Sequence, residues 1–257
     1  MKKILVIGSK GFIGSAAVRY YESRGYTVTG CDIIENDKAV GYYKVQSNEP
    51  DYHRVFQQVS PDICLNASGA ANVPLSFDDP LMDYQLNVIN VLKIVEAIRI
   101  ESPGTAFINI SSAAVYGTPS HLPVSEGADI APISPYGWHK RQSELICREY
   151  ANLYGLKTCS MRVFSAYGPG LQKQLFWDIY QKSRKGKAIE LLGTGDESRD
   201  YIFVDDLIRA GEAIAEKSKL KGEVINVASG IETTIREAAT IFIEVLGWDG
   251  EISFTGS

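Results

Sequence analysis

Histidine and cysteine are scarce in this chain, and their placement narrows its chemistry. Only His53, His121 and His139 occur, with no ligand spacing between any two, so no metal site is expected. The four cysteines, Cys31, Cys64, Cys147 and Cys159, form no C-x-x-C pair. Three of them sit in strand-like apolar runs, which points to buried, reduced thiols. A long basic run is also missing, and the net charge is −5. Neutralising the phosphates of a nucleic acid or an anionic membrane needs clustered Lys and Arg, so neither is expected as the main partner. The longest apolar runs are strand-sized, and the one after Lys2-Lys3 is too short for a signal peptide or a membrane span. A soluble, cytoplasmic chain without a targeting segment, internal repeat or low-complexity linker is the expectation.

What is present is ordinary globular composition, 45% hydrophobic and 22% charged over 257 residues. That length can bury a full core in one large or two coupled domains. The apolar run Ile4-Leu5-Val6-Ile7 reads as a strand and leads into Gly8-Ser9-Lys10-Gly11-Phe12-Ile13-Gly14. A helical pattern of Ile13, Ala16, Ala17 and Tyr20 follows and closes at Gly25. In that context each glycine has its own purpose, with a tight turn at Gly8, backbone approach to a pyrophosphate at Gly11, and close helix-to-sheet packing at Gly14. Phe12 and Ile13 then open a helix whose free N–H groups and dipole favour a phosphate. The spacing is G-x-x-G-x-x-G, and alone it is a weak signal, since strand-to-helix turns are glycine-rich for steric reasons.

A second strand, Thr27 to Cys31, ends at Asp32, about 20 residues past the glycines, where a carboxylate can accept hydrogen bonds from an adenosine ribose. It would repel a 2′-phosphate, and no Arg or Lys stands in Asp32-Ile33-Ile34-Glu35-Asn36. NAD is therefore expected over NADP.

Strand and helix signals alternate onward. A short strand near Tyr42 to Val45, a helix near Asp51 to Val59 and a strand Ile63-Cys64-Leu65 come first. A long helix is expected from Asp78-Asp79-Pro80, with Leu81, Tyr84, Val88, Leu92 and Val95 on one face. The strand Ala106 to Ile110 delivers Ser111 and Ser112 to its C-terminal end. Ser134 as N-cap and Pro135 at the first helical position start another long helix, which stops near Gly155 before the strand Thr158 to Val163. Val224 to Val227 should return as a strand and Thr233 to Gly247 as a helix. This alternation predicts an α/β fold with a parallel, doubly wound sheet whose ligands lie beyond the carboxyl ends of its strands. Gly8, Asp32, Asn66, Ser112 and Arg162 to Ser165 would gather along that edge.

Tyr136 and Lys140 are four residues apart near a helix start, so they share one face. Bringing a phenol from a pKa near 10 to about 7 takes roughly 4 kcal/mol of phenolate stabilisation. An ammonium, the helix dipole and a nicotinamide cation together are expected to provide it, making Tyr136 a base. Ser112 would hold the substrate oxygen against the phenol. Y-x-x-x-K alone is common on solvated faces; with the glycine turn and the serine in chain order it reads as catalytic.

With these residues the chain resembles the extended short-chain dehydrogenase/reductases, in their NAD-dependent epimerase/dehydratase group acting on nucleotide sugars. The resemblance runs over nearly the whole chain. It takes in Asn87-Val88, Ser111-Ser112-Ala113-Ala114-Val115-Tyr116-Gly117, Arg162 to Gly170 and Arg199-Asp200-Tyr201-Ile202-Phe203-Val204-Asp205-Asp206. It implies a Rossmann-like, NAD-binding domain over residues 1–165 and a smaller mixed α/β substrate-binding lobe over 166–257. That lobe would be discontinuous, return partly to the sheet, and stop short of the usual family end. Ser112, Tyr136 and Lys140 would be catalytic. Gly8, Gly11, Phe12, Ile13, Gly14, Asp32 and Asn87 would seat NAD together with Tyr136 and Lys140. Ser112, Ser165 and Arg199 would bind a nucleoside-diphosphate sugar, with Arg199 on the diphosphate or, alternatively, paired with Asp200 or Asp205. The two long helices would build a homodimer or equally serve as intramolecular core.

Several positions depart from the family pattern. Ser165 stands where Asn is common, and His139, beside Trp138, replaces the small residue usual before the lysine. Both His139 and Trp138 read as packing or solvent-facing positions. Ala113 and Ala114 occupy the place where related dehydratases and decarboxylases carry an acid, which favours 4-epimerisation through a transient 4-keto sugar. A dehydratase or reductase of the same family, or a non-catalytic NAD-binding sensor, are the alternatives.

Overall fold

The computed structural model describes residues 1–35 and 41–256. Asn36, the last residue of the stretch read for cofactor charge, and the terminal Ser257 lie outside the described residues. From the N-terminus run β1 (Lys3–Ile7), α1 (Phe12–Ser23), β2 (Thr27–Asp32), β3 (Tyr42–Lys44), α2 (Tyr52–Val59), β4 (Ile63–Asn66), α3 (Val73–Asp78) and α4 (Pro80–Tyr84). A π-helical turn (Gln85–Ile89) continues into α5 (Asn90–Glu101), followed by β5 (Ala106–Ser112), a 3-10 turn (Ala113–Tyr116), α6 (Pro135–Tyr154) and β6 (Lys157–Val163). The remainder holds β7 (Ser165–Tyr167), α7 (Gln174–Ser183), β8 (Ala188–Leu191), β9 (Ser198–Phe203), α8 (Val204–Lys217), β10 (Lys221–Val227), β11 (Glu232–Thr234), α9 (Ile235–Leu246) and β12 (Glu251–Phe254).

Contacts divide the chain into two units, Met1–Val163 with Val204–Val227, and Phe164–Phe203 with Ala228–Ser257. The first unit carries a seven-stranded sheet in the order β10-β6-β5-β4-β1-β2-β3, with every pairing parallel. Its central strands are buried on both faces, as helix-covered parallel strands must be: Ile4, Leu5, Val6 and Ile7 are all sealed from solvent. Strand order runs outward in both directions from β1 and β4, so the connections diverge there and leave a crevice at the carboxyl edge. Gly8 and the ends of β2, β4 and β5, at Asp32, Asn66 and Ser112, share that edge. Val55, Phe56, Ile94, Ile98, Phe107 and Tyr150 belong to the core that α2, α5 and α6 build on the sheet.

Between Asp79 and Glu101 the observed helix differs from its expected face. Leu81 is 66% exposed and Leu92 37% exposed, whereas Val88, Val91, Ile94, Val95 and Ile98 are buried. The cause is the π-helical turn at Gln85–Ile89. One extra residue in that turn rotates everything after it relative to a regular 3.6 repeat, so the expected stripe splits, with Val88 and Val95 buried and Leu81 and Leu92 left outside. The other long helix follows its signals: the Ser134 side chain accepts from the Gly137 N–H, Pro135 opens α6, and Gly155 closes it at φ +70°.

In the second unit β11, β9 and β7 form one sheet, and β12 pairs with β8 in another. Ile179, Ile189, Leu191 and Ala239 make its core, with Phe242, Trp248 and Phe254 packed against them. The four cysteines are buried and free, and burial pushes the Cys31, Cys147 and Cys159 thiols up to about 12, far from nucleophilic thiolates. Among the described residues no helix is long and apolar enough to cross a membrane.

Candidate active site

The glycine turn separates packing from ligand approach. Gly8 turns at φ +80°, and a Cβ there would stand 2.6 Å from the Ser68 backbone nitrogen. A Cβ on Gly14 would stand 2.0 Å from the Gly8 carbonyl oxygen, so the first turn of α1 packs directly on the loop. Gly11 differs. Its φ of −72° suits any residue, and the nearest protein atom to a Cβ would be 3.4 Å away. The protein alone does not demand glycine there; room for a ligand does. Gly11 is also the N-cap of α1, and no side chain caps the helix. The amides of Phe12, Ile13 and Gly14 thus open toward that space, where the dipole favours an anion.

Asp32 closes β2 beside this turn. One carboxylate oxygen accepts from the Lys10 N–H at 2.8 Å and the other from the Ile33 N–H at 2.7 Å, which fixes the group while leaving lone pairs for ribose hydroxyls. Asn87, 1% exposed, donates through Nδ2 to Asp83 at 3.0 Å, and its Oδ1 has no partner among the described residues. That buried acceptor, the open Gly11 and the uncapped helix fit a dinucleotide.

Three elements bring the reactive groups together. β5 ends at Ser112, whose hydroxyl accepts from the Ala114 N–H at 3.1 Å and lies near enough to the Tyr136 phenol to favour its ionised form. Tyr136 lies in the first turn of α6, and its backbone N–H donates to the fully buried Ser76 hydroxyl of α3 at 3.2 Å. One turn later the Lys140 ammonium stands 5.8 Å from the Tyr136 ring centre and donates to the Ile110 carbonyl at 2.9 Å. Asn66 donates to Asn109, Asn109 to Ser143, and Ser143 to the Lys140 carbonyl, a buried chain that ties β4 and β5 to α6.

Burial dominates the electrostatics of this pair. Burial pushes the Tyr136 phenol up to about 12, the Ser112 hydroxyl offsets only part of this, and Asp83 adds to it. Lys140 is pulled down to about 8 by burial, with Asp83 and Glu144 opposing the fall. In the protein alone desolvation is the largest influence on both groups, because both are sealed from water. The phenol is not acidic without a further positive charge.

Sequence reasoning also missed partners distant in the chain. Asp83, 2% exposed, accepts from Asn87 and from His139 Nδ1 at 2.6 Å, so His139 is a buried hydrogen-bonded residue. Gly137 is another: a Cβ there would stand 2.6 Å from the Ala114 carbonyl oxygen. The glycine between Tyr136 and Trp138 was the only signal for it. Ala113 and Ala114 form a 3-10 turn behind Ser112 and present no acid. Trp138 is 53% exposed.

Ser165 and Arg199 belong to the second unit. Ser165 pairs with Tyr201 in the β7–β9 ladder. Arg199 is exposed, donates to the Ser198 carbonyl at 2.8 Å, and makes no ion pair among the described residues. Asp200 is instead engaged by the Ser229 and Gly230 N–H groups, which leaves the Arg199 guanidinium free of it.

A UDP-glucose 4-epimerase of Mycolicibacterium smegmatis is 28% identical over 271 residues, covering 98% of this chain and 85% of that protein. The crystal structure of UDP-glucose 4-epimerase with UDP-glucose from Thermotoga maritima superposes with a TM-score of 0.88 at 28% identity, covering 99% of this chain and 85% of that one. The UDP-glucose 4-epimerase complex with NAD from Thermus thermophilus gives 0.88 at 26% identity, covering 98% and 85%. The model of the NAD dependent epimerase/dehydratase family matches residues 4–228. With its glycine turn, Ser112, Tyr136 and Lys140 set on one parallel sheet, the chain belongs to that family.

Proposed function

We propose that this chain is an NAD-dependent nucleotide-sugar 4-epimerase that works through a transient 4-keto sugar. The observation that carries it is the Ser112 hydroxyl set beside the buried Tyr136 phenol and Lys140, followed by two alanines where an eliminating enzyme needs an acid. Its similarity to UDP-sugar 4-epimerases supports a uridine diphosphate sugar as substrate.

Each residue then has a physical role. Gly11 leaves room for the pyrophosphate at the α1 N-terminus, Asp32 accepts from the adenosine ribose, and Asn87 offers its free Oδ1. When bound, NAD supplies the hydride acceptor and donor. Tyr136 Oη takes the proton from the sugar 4-hydroxyl and later gives it back, while Ser112 holds the same oxygen in line. Lys140 stabilises the phenolate without touching the sugar. The keto sugar must turn over while its nucleotide stays anchored, so the tight contacts belong to the diphosphate. Arg199 and Ser165 of the second unit supply them, a guanidinium being suited to two phosphate oxygens at once. The first unit binds NAD and the second carries the sugar nucleotide.

Exposed Leu81, Leu92, Trp138 and Leu145 on α4, α5 and α6 are the surface we assign to a homodimer. The function is tested by incubating NAD-loaded protein with UDP-glucose, UDP-N-acetylglucosamine and UDP-glucuronic acid. A 4-epimer without net NADH is expected; accumulating NADH or a keto-deoxy product contradicts it.

A further inference from the structure

The carboxylate of Asp83 joins two groups that no sequence spacing connects. It is sealed between α4, the π-helical turn and α6, with Oδ1 on Asn87 Nδ2 at 3.0 Å and Oδ2 on His139 Nδ1 at 2.6 Å. An ionised carboxylate only accepts hydrogen bonds, so Asn87 must face it with its amide NH2. Its Oδ1 is thereby forced to the other side, where it is buried, without a partner among the described residues, and 2.6 Å from the position of a Cβ on Gly69. His139 is the neighbour of Lys140 and lies three residues past Tyr136, so the second bond pins the turn of α6 that carries both. The Tyr84 ring stands edge-on to His139 at 5.1 Å and completes the seat.

We propose that Asp83 is a positioning residue for the redox site: it orients Asn87 so that Oδ1 is the free acceptor for a donor group of the cofactor, and it holds His139 so that Tyr136 and Lys140 keep their register. This rests on the epimerase reading above. The titratable and charged groups around it are His139, Tyr136 and Lys140 of α6, with Glu144 one turn further on acting on Lys140. Asp83 opposes the burial-driven fall of the Lys140 pKa, so removing its charge shifts the Lys140 titration further down.

The test compares wild type with Asp83→Asn and His139→Ser. In Asp83→Asn the side-chain amide cannot accept from both partners, so bound NAD is expected to dissociate about tenfold faster or more. The alkaline limb of its kcat/KM profile should also move to lower pH. His139→Ser should lower kcat several-fold at unchanged NAD retention, since it leaves Asn87 held. Proton NMR of the wild type gives a readout that needs no variant: the His139 Nδ1 proton should be shifted far downfield, protected from exchange, and displaced on adding NAD. An Asp83→Asn protein with wild-type melting, NAD retention and pH profile overturns the proposal. So does a wild-type spectrum without that proton, or with one indifferent to NAD. If wild type itself neither keeps NAD nor interconverts 4-epimers, the function reading has failed; if it does both and Asp83→Asn matches it, only the positioning role has.

Discussion

Gly137 sits so close to Ala114 that a Cβ on it would come within 2.6 Å of the Ala114 carbonyl oxygen, and the Pro132 ring stands 3.0 Å from the same point. The first turn of α6 thus lies directly on the 3-10 turn after Ser112. That contact sets the Tyr136 turn beside the end of β5 that carries Ser112. Neither flanking backbone can yield cheaply, one being a helix start and the other the exit of β5.

Gly137→Ala is therefore expected to separate Tyr136 from Ser112. Overpacking of this kind costs about 1–3 kcal/mol of stability, and displacement at the reacting atoms costs far more in rate than in folding. Denaturant melts should show the modest loss, and turnover assays at saturating substrate a fall of about 100-fold with NAD still bound.

Tyr136→Phe removes the proton acceptor and leaves the cleft. General-base removal costs about 10²–10⁴-fold, so kcat should drop by that factor while NAD copurifies as in wild type.

Glu144 is almost fully buried and takes Arg162 through two bonds of 2.8 Å, with Ser111 at 2.7 Å on the same carboxylate. Arg162 also donates to the Tyr116 hydroxyl at 2.8 Å, which in turn donates to Asn226. Breaking one side of such a pair leaves a sealed, uncompensated charge. Glu144→Ala is expected to cost about 3–5 kcal/mol, read as a shift of the urea midpoint, whereas an exposed pair such as Lys2–Glu216 should cost under about 1 kcal/mol.

Lys140 gives stability an unusual pH dependence. Its folded pKa of about 8 lies below the unfolded value of 10.5, so between the two the unfolded chain binds the extra proton. The Lys140 contribution to stability therefore rises with pH across that window, by on the order of 3 kcal/mol when integrated, while the buried Cys31, Cys147 and Cys159 thiols oppose it above pH 9. Tyr136 works the other way above pH 10, because its folded phenol keeps its proton to about 12. Denaturation of NAD-free wild type and Lys140→Met at a series of pH values should show the Lys140 term as a stability difference, wild type minus variant, that grows with pH from about 8 to 10.5.

Much of this was legible in sequence where a local rule decides the structure. The Gly8–Gly14 turn and the Ser134-Pro135 start of α6 read correctly because each depends on a few adjacent residues and their backbone geometry. The π-helical turn did not, since nothing local in Gln85 to Ile89 announces it, and Leu92 beyond it is exposed where a regular repeat expects it buried. Asp83 and His139 meet across 56 positions, a contact that only the packing of α4 on α6 creates. Chain spacing also revealed the ammonium near the phenol but not how completely both groups leave water.

In the proposed cycle one hydrogen leaves C4 of the sugar and returns to the same carbon while Tyr136 carries the proton, and every other step depends on this exchange. UDP-glucose deuterated at C4, incubated with NAD-loaded protein in ordinary water, tests it most directly by mass and NMR analysis of the epimer. Retention of deuterium at C4 in the galacto product, abolished together with turnover in Tyr136→Phe, is the result predicted. Epimer formed with C4 deuterium lost to solvent, or formed at an undiminished rate by Tyr136→Phe, would contradict it.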